Sequence, residues 1–247
     1  MNGSAARGEQ AVAFESLVDD YDAARPGYPD ALFDALPPLA GARLLELGAG
    51  TGKQTPGLLA RGADVVSTDR GPRMLGRLHA THPSVPVAVA RAEQLPFADG
   101  AFDGVCGAQM WHWVDAPVAA AEVARVLSPG GWLALWWNDV DADGEPWYDA
   151  QQDRLEAAGT GYRRTYRAQD YAGSLQGSFR SVQEWTGSWS RTVGWPVYER
   201  WLRSKSYVAA LPDPEGFVAA ERASLAAAFP DGRIVEPFRV RLLTARL

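Results

Sequence analysis

Cysteine, histidine and lysine are scarce in this chain of 247 residues, which has one cysteine, three histidines and two lysines. A lone cysteine cannot form an internal disulfide bond. We expect Cys106, which lies in an apolar segment, to be a buried structural thiol rather than a nucleophile. So few thiol and imidazole groups also argue against a transition-metal site. The sequence therefore predicts a protein with neither internal disulfides nor a bound metal.

Long apolar runs are missing as well. No segment approaches the roughly 20 apolar residues of a membrane-spanning helix, and residues 1–10 lack the apolar stretch of an export signal. The net charge of −6 and the pI near 5.1 oppose a broad nucleic-acid-binding surface, because such surfaces are basic. We therefore expect a cytoplasmic protein that acts on a small-molecule substrate, with neither nucleic acid nor membrane as a partner. The oligomeric state stays open, with a homodimer as one option.

A glycine-rich segment after an apolar strand is the strongest motif. Residues 44–47 are typical of a buried strand, and the motif combines an acid in that strand with the loop after it: Glu46, Gly48, Ala49, Gly50 and Gly52. Glycines adopt positive φ angles at little cost and let the backbone approach a ligand closely. A carboxylate beside them would repel a pyrophosphate, so the motif favours a nucleoside ligand that carries positive charge.

Two other glycine motifs fail on spacing. A phosphate-binding P-loop needs Ser or Thr after its Gly-Lys pair, but Gln54 follows Lys53. The dinucleotide fingerprint Gly-x-Gly-x-x-Gly needs a third glycine where Lys53 stands. Taken alone, the motif is also compatible with a tight strand-to-helix turn that binds nothing.

Short apolar segments alternate with helical ones after this motif, as in a parallel α/β sheet. We predict strands at 65–69, 85–90, 102–109 and 132–137, helices at 72–79 and 119–127, and a turn at 128–131. Asp69 ends the second strand, 21 residues beyond Gly48. An acid there accepts hydrogen bonds from ribose hydroxyls in doubly wound sheets, or caps the helix that follows. The sequence is compatible with either role or both.

Together these motifs resemble the class I S-adenosylmethionine-dependent methyltransferases. The resemblance runs in the family's order over residues 40–137 and rests on five motifs: 46–52, Asp69, 92–97, 102–103 and 127–131. Segments 21–29 and 111–113 resemble, more loosely, the small-molecule (type 11) subfamily that includes the trans-aconitate methyltransferase-like enzymes. The resemblance implies S-adenosyl-L-methionine as the cofactor. It also implies a doubly wound, seven-stranded, mostly parallel α/β sheet, the Rossmann-like methyltransferase fold, with an antiparallel last strand.

The resemblance predicts a single methyltransferase domain over 1–247. Its parts are N-terminal lid helices at 10–36, a cofactor-binding core at 40–137, a substrate-side insertion at 139–180 and a sheet-completing part at 181–247. Outside the core we predict helices at 10–21, 29–36, 147–157, 196–210 and 214–229, and strands at 181–193 and 234–247.

The resemblance also implies a set of cofactor-binding residues, drawn from the lid, the glycine loop and the ends of three further strands: Tyr21, Arg25, Glu46, Gly48, Ala49, Gly50, Gly52, Asp69, Arg70, Ala92, Glu93 and Gln109. In relatives the glycine motif holds the methionine end, the acid of the second strand flanks the ribose, and the segment at 92–93 faces the adenine. Arg91 stands where many relatives have an acid. The contact to the adenine amino group must therefore come from elsewhere.

Aromatic residues cluster where an open α/β sheet places its ligands. They supply four candidate substrate contacts: Tyr28, Trp111, Trp113 and Trp147. We expect the strand tryptophans at 132, 136, 137 and 189 to pack in the core instead. The arginine-rich segment 163–167 is either a solvated face or a clamp for an anionic substrate.

His112 is the candidate catalytic residue, because an imidazole titrates near neutrality and can act as a general base. A structural or orienting role is equally compatible with the sequence, and a carboxylate acceptor would need no base. The sequence thus predicts methyl transfer to a small molecule, with O-methylation of a carboxylate or hydroxyl of an organic acid or secondary metabolite. The alternatives are a non-catalytic cofactor-binding subunit and, less favoured, a nicotinamide-dependent oxidoreductase.

Overall fold

The computed structural model describes residues 18–160, 162–164 and 170–247. Within the first range, only the backbone of residues 19–21 is described. The strands are β1 Arg43–Leu47, β2 Asp64–Asp69, β3 Val87–Val89, β4 Phe102–Ala108, β5 Leu127–Val140, β6 Ser181–Gly194 and β7 Arg233–Arg246. The α-helices are α1 Val18–Ala24, α2 Asp30–Asp34, α3 Thr55–Leu59, α4 Pro72–Thr81, α5 Ala116–Val126, α6 Pro146–Ala157, α7 Trp195–Arg203, α8 Ser206–Ala209 and α9 Pro214–Leu225. Two 3₁₀ turns cover Trp111–Trp113 and Gly173–Leu175.

The strands form one sheet in the order β3-β2-β1-β4-β5-β7-β6. β1 pairs in parallel with β2 and β4, β2 with β3, and β4 with β5. β7 is antiparallel to its neighbours, as the bonds from Leu247 N to Gly131 O and from Arg180 N to Arg246 O indicate. The predicted fold class, a mostly parallel doubly wound sheet with a reversed last strand, is confirmed. The change of direction along the strand order falls between β1 and β4, where such sheets bind ligands.

Most predicted elements exist, but several boundaries differ. The helix predicted from residue 119 begins at Ala116, because Asp115 accepts a bond from Val118 N and a proline follows it. The predicted turn at 128–131 is wrong, since these residues belong to β5. The pairing between β4 and β5 shifts register there, so the extra residues form a bulge. The helix predicted over 196–210 divides into α7 and α8, and residues 10–17 of the first predicted helix lie outside the described part.

By its internal contacts the chain divides into two units. The first comprises Met1–Pro26, Asp139–Gln169 and Ser188–Arg239, and the second comprises Gly27–Asn138, Asp170–Gly187 and Val240–Leu247. The second unit contains β1 to β4 and a core in which Leu45, Val105, Leu133 and Trp137 are buried. The first unit has its own core around Tyr198, Trp201 and Ile234. No helix of the described residues is both long and apolar enough to cross a bilayer.

Ion pairs are buried inside the first unit. Glu236 is 1% exposed and accepts a bond from Arg191 Nε at 2.6 Å. Burial raises the pKa of Glu236, and the positive charges of Arg191 and Lys205 oppose that rise. Glu221, fully buried, pairs with Arg154 and accepts a bond from Gln151 Nε2 at 3.0 Å. Such pairs fix the relative positions of their side chains, because removing one partner leaves the other charge buried, unpaired and out of contact with water.

Candidate active site

The glycine loop leaves β1 in a conformation that only glycines adopt without strain. Gly48, Gly50 and Gly52 have φ angles of 57°, 55° and 86°. A Cβ on Gly48 would lie 2.8 Å from the Cβ of Met110, so the backbone needs glycine here for space as well. Ala49 N donates to Thr68 O at 2.9 Å and ties the loop to β2. The loop therefore presents bare backbone at the carboxyl edge of the sheet.

Asp69 holds the glycine loop from the neighbouring strand. One carboxylate oxygen accepts a bond from Gly50 N at 2.8 Å, and the other accepts from Gly71 N, also at 2.8 Å. The N-cap of α4 is Gly71, with no side-chain cap bond, so Asp69 is not the helix cap that the sequence allowed. Contact with a ribose stays a prediction.

Glu46 lies beneath the loop rather than on its surface. Its side chain is fully buried, and its oxygens accept bonds from Ser67 Oγ at 2.5 Å and Thr55 Oγ1 at 2.9 Å. Burial raises the pKa of Glu46 to about 7, although these two hydroxyls oppose the rise. The carboxyl thus supports the loop from within, and its direct contact with a ligand stays a prediction. Cys106, opposite Glu46 on β4, is buried, and burial raises the pKa of its thiol.

Gln109 marks the end of β4. It is the one non-glycine among the described residues with positive φ, at 54°, a conformation that side chains rarely adopt and that clusters at functional sites. Its N–H donates to Trp136 O at 2.9 Å, and its side-chain Nε2 donates to Asn138 O at 3.0 Å. Gln109 is thus fixed beside the glycine loop at the edge where its contact with the cofactor was predicted.

His112 sits in the 3₁₀ turn just after Gln109. The turn is anchored by Trp111, which is 1% exposed and donates from Nε1 to Ser174 Oγ at 3.0 Å. His112 is half-buried and lies 4.8 Å, ring to ring, from half-buried Trp113. The buried indole thus holds the imidazole at the carboxyl edge. Trp111 is a core residue in this conformation, and substrate contact by either tryptophan stays a prediction.

The segment predicted to face the adenine is tied to this turn. Ala92 is buried, and the Glu93 carboxylate accepts a bond from Asp115 N at 3.0 Å. Burial favours a higher pKa for Glu93, but that bond and nearby Arg91, 3.5 Å away, outweigh it and lower the pKa. The arginine that departs from the family pattern thus pairs with Glu93. Adenine contact by this segment remains a prediction.

The remaining predicted residues divide between the units. Tyr28 is half-buried in the second unit, edge-on to Trp136 at 5.9 Å, and Arg70 is exposed there. Tyr21, of which only the backbone is described, and Arg25 belong to the first unit with Trp147. Arg25 donates to Ser204 Oγ at 2.9 Å, and Trp147 packs edge-on to Phe229 at 5.2 Å. Their roles at the site stay predictions.

Sequence reasoning missed the residues that support this edge. Ser67 and Thr55 hold Glu46, Met110 packs beneath Gly48, and the Asn138 carbonyl fixes Gln109. The place of Ser67 follows only from the observed parallel register, which puts it opposite Glu46. Among the described residues no group of three or more His, Cys, Asp or Glu is placed to hold a metal ion.

Known proteins match the part of the chain that carries this edge. Residues 45–135 match the family model described as a methyltransferase domain. An uncharacterized methyltransferase of Mycobacterium tuberculosis is 47% identical over 135 residues, 55% of this chain and 56% of that protein. A demethylmenaquinone methyltransferase of Beutenbergia cavernae is 39% identical over 106 residues, 42% of this chain and 44% of that protein. The chain thus spans about half the length of the curated relatives it matches.

A solved structure extends the likeness to nearly the whole chain. A protein from Anaeromyxobacter dehalogenans, assigned to the type II methyltransferases, superposes with a TM-score of 0.71 and 26% identity over 90% of this chain and 97% of that one. Its fold and the family match agree with the order of motifs found in the sequence. Residues 45–135 therefore match a methyltransferase domain in sequence, and 90% of the chain matches a methyltransferase in fold.

Proposed function

We propose that the chain transfers a methyl group from S-adenosyl-L-methionine to a small-molecule acceptor, at an oxygen of a carboxylate or hydroxyl. The observation that carries this proposal is the glycine loop at the carboxyl edge of the matched methyltransferase domain. It has three left-handed glycines, and the Asp69 carboxylate accepts a hydrogen bond from the middle one, Gly50. When bound, the cofactor would supply an electrophilic methyl carbon there.

The residues present fit such a cofactor. Gly48, Gly50 and Gly52 bring no side chains to the loop, and glycine lets a ligand approach the main chain closely. The Asp69 carboxylate would accept bonds from ribose hydroxyls, and Gln109 would face the methionine end. The half-buried carboxylate of Asp69 against the loop suits a cation better than a pyrophosphate.

The acceptor side depends on what is methylated. For a hydroxyl acceptor, His112 would take the hydroxyl proton as the acceptor oxygen is methylated. A carboxylate is already ionised, and His112 would then only orient it. Holding both reactants in line converts a bimolecular step into a unimolecular one, which can be worth about 7–11 kcal/mol.

The alternatives fit less well. A nicotinamide-dependent oxidoreductase would need the third glycine that Lys53 replaces. A non-catalytic subunit would have no need for the loop and both acids to be intact. The fold by itself does not fix the reaction, since one neighbour, at 20% identity and a TM-score of 0.51, is the [4+2]-cyclase SpnF.

Turnover with labelled cofactor tests the proposal. The chain is incubated with methyl-labelled S-adenosylmethionine and a panel of organic acids and phenols. Label should move to at least one acceptor, with release of one S-adenosylhomocysteine per methyl transferred. Oxidation or reduction of a nicotinamide without methyl transfer would replace this proposal with the oxidoreductase.

Replacing Asp69 by alanine should weaken cofactor binding by about 1.5–3 kcal/mol, because charge-assisted hydrogen bonds are lost. The dissociation constant of S-adenosylhomocysteine, measured by isothermal titration, is the readout. Asp64→Ala is the matched control, since Asp64 is an exposed acid at the other end of β2. An Asp69→Ala variant that binds as tightly as the control would contradict the ribose assignment.

A further inference from the structure

One arginine of the second unit packs against aromatic rings and has no anionic partner among the described residues. The Arg241 guanidinium lies 5.2 Å from the ring centre of Trp137 and 5.4 Å from that of Tyr171. These two rings stack on each other at 4.2 Å, 8° from parallel. Arginine is weakly hydrated and stacks well on aromatic faces, so the two rings hold the guanidinium in place. Its N–H groups, which lie in the plane of the guanidinium, can then donate to an acceptor.

Within the described part of the chain, this guanidinium differs from comparable arginines in having no carboxylate beside it. Its Nε is buried and has no hydrogen-bond partner among the described residues, and no carboxylate of that part of the chain pairs with it. By contrast, Arg125, Arg154 and Arg191 each bond a carboxylate. A buried charged donor without an acceptor is costly, and a bound anion would remove that cost.

The arginine lies on the same edge and core face as the candidate site. Ala108 pairs with Trp136 on β5, and Gln109 N bonds the Trp136 carbonyl. β7 flanks β5 on the other side, so with strands about 4.8 Å apart the backbones of Gln109 and Arg241 are roughly 10 Å apart. Trp137 and Tyr171 belong to the same buried cluster as Trp111, Met110 and Ala92.

We propose that Arg241, held by Trp137 and Tyr171, binds an anionic group, a carboxylate or phosphate, of the methyl acceptor. That the anion belongs to the acceptor rests on the proposed function, whereas the anion site itself does not. A roughly 10 Å span would let an acceptor place its anionic end on Arg241 and a second oxygen near Gln109 and His112. The acceptor class is then a small acid with at least two polar ends, and a neutral alcohol would be excluded.

Binding of small probes tests this site. Benzoate, phenyl phosphate and neutral benzamide are titrated into the full chain, with and without S-adenosylhomocysteine. We expect benzoate or phenyl phosphate to bind at least about 10-fold more tightly than benzamide. Arg241→Met should raise the dissociation constant of the anion by about 10–100-fold. The tighter of the two anions identifies carboxylate or phosphate. Arg246→Met, an exposed arginine on the same strand, should leave anion binding unchanged.

Two further readouts separate the possible failures. Arg241→Met should bind S-adenosylhomocysteine as tightly as the unmodified chain does. If no variant binds the cofactor, the result contradicts the proposed function rather than the role of Arg241. Arg241→Lys keeps the positive charge but loses the planar set of guanidinium N–H donors. This variant should bind the anion more weakly, and it provides the test if the methionine variant does not fold. In NMR spectra of the unmodified chain, the resonance of the Arg241 Nε–H group should shift when the anion is added. Equal binding of benzamide, or anion binding that survives in both variants, or no anion binding at all, would overturn the proposal.

Discussion

Replacing His112 by alanine is expected to lower turnover by about 10²–10⁴-fold if the acceptor is a hydroxyl, the range typical of a lost general base. The turn that presents the imidazole is held by buried Trp111 and by the bond from Trp113 N to Met110 O at 2.9 Å. Because these anchors do not involve the imidazole, the variant should keep its fold and its affinity for S-adenosylhomocysteine. The loss should therefore appear in kcat.

The pH profile separates a base from an orienting residue. In the unmodified chain, kcat should rise with pH as an imidazole loses its proton. In His112→Ala, this rise in the pH–rate profile should be absent. His79→Ala is the matched control, an exposed histidine on α4 that should not change turnover. A His112→Ala effect confined to KM would reject the base and leave an orienting role.

The Glu46→Gln variant is expected to remove a loss of stability that the unmodified chain shows as the pH rises from about 4.5 to 7. Burial raises the pKa of Glu46 from an ordinary 4.5 to about 7. Because the folded state holds this proton more tightly than the unfolded chain does, the stability it contributes is complete below pH 4.5. That stability is lost as the pH rises through about 7, and the difference is on the order of 3 kcal/mol. Glutamine mimics the protonated acid, so the variant should not show that loss.

Urea unfolding at pH 5 and pH 8 measures this effect. The fall in unfolding free energy between the two values should be about 2–3 kcal/mol smaller in Glu46→Gln than in the unmodified chain. The comparison cancels other titrating groups, including buried Glu236. Glu184→Gln, at an exposed position on β6, should behave like the unmodified chain. Identical pH dependence in all three proteins would mean that the Glu46 carboxyl titrates as it does in water.

The alternation of elements and the glycine loop were predictable because both depend on local spacing. The apolar run of β1, the acid and three glycines lie within ten residues, and every left-handed φ there falls on a glycine. Three predicted core tryptophans, at 132, 136 and 137, are confirmed as buried. Trp189 is half-buried and stacks on Phe238 at 5.0 Å. Strand position decides these outcomes, and strand position is readable from sequence.

Features that depend on distant segments were not predictable. Burial of Glu46 depends on Ser67, 21 residues away, and the anchor of Trp111 depends on Ser174, 63 residues away. The bulge at 128–131 has the glycines and proline of a turn, and only pairing with β4 shows that the strand continues through it. The two units gather segments from opposite ends of the chain. Local propensity carries no information about such contacts.

Cofactor binding tests the central claim most directly. Isothermal titration of the full chain with S-adenosylmethionine, S-adenosylhomocysteine and NAD should give micromolar binding of the first two and none of the third. Asp69→Ala should weaken both, with Asp64→Ala as the control. Absence of binding by both sulfur nucleosides, or binding of NAD alone, would contradict the assignment of the glycine loop and with it the methyltransferase account.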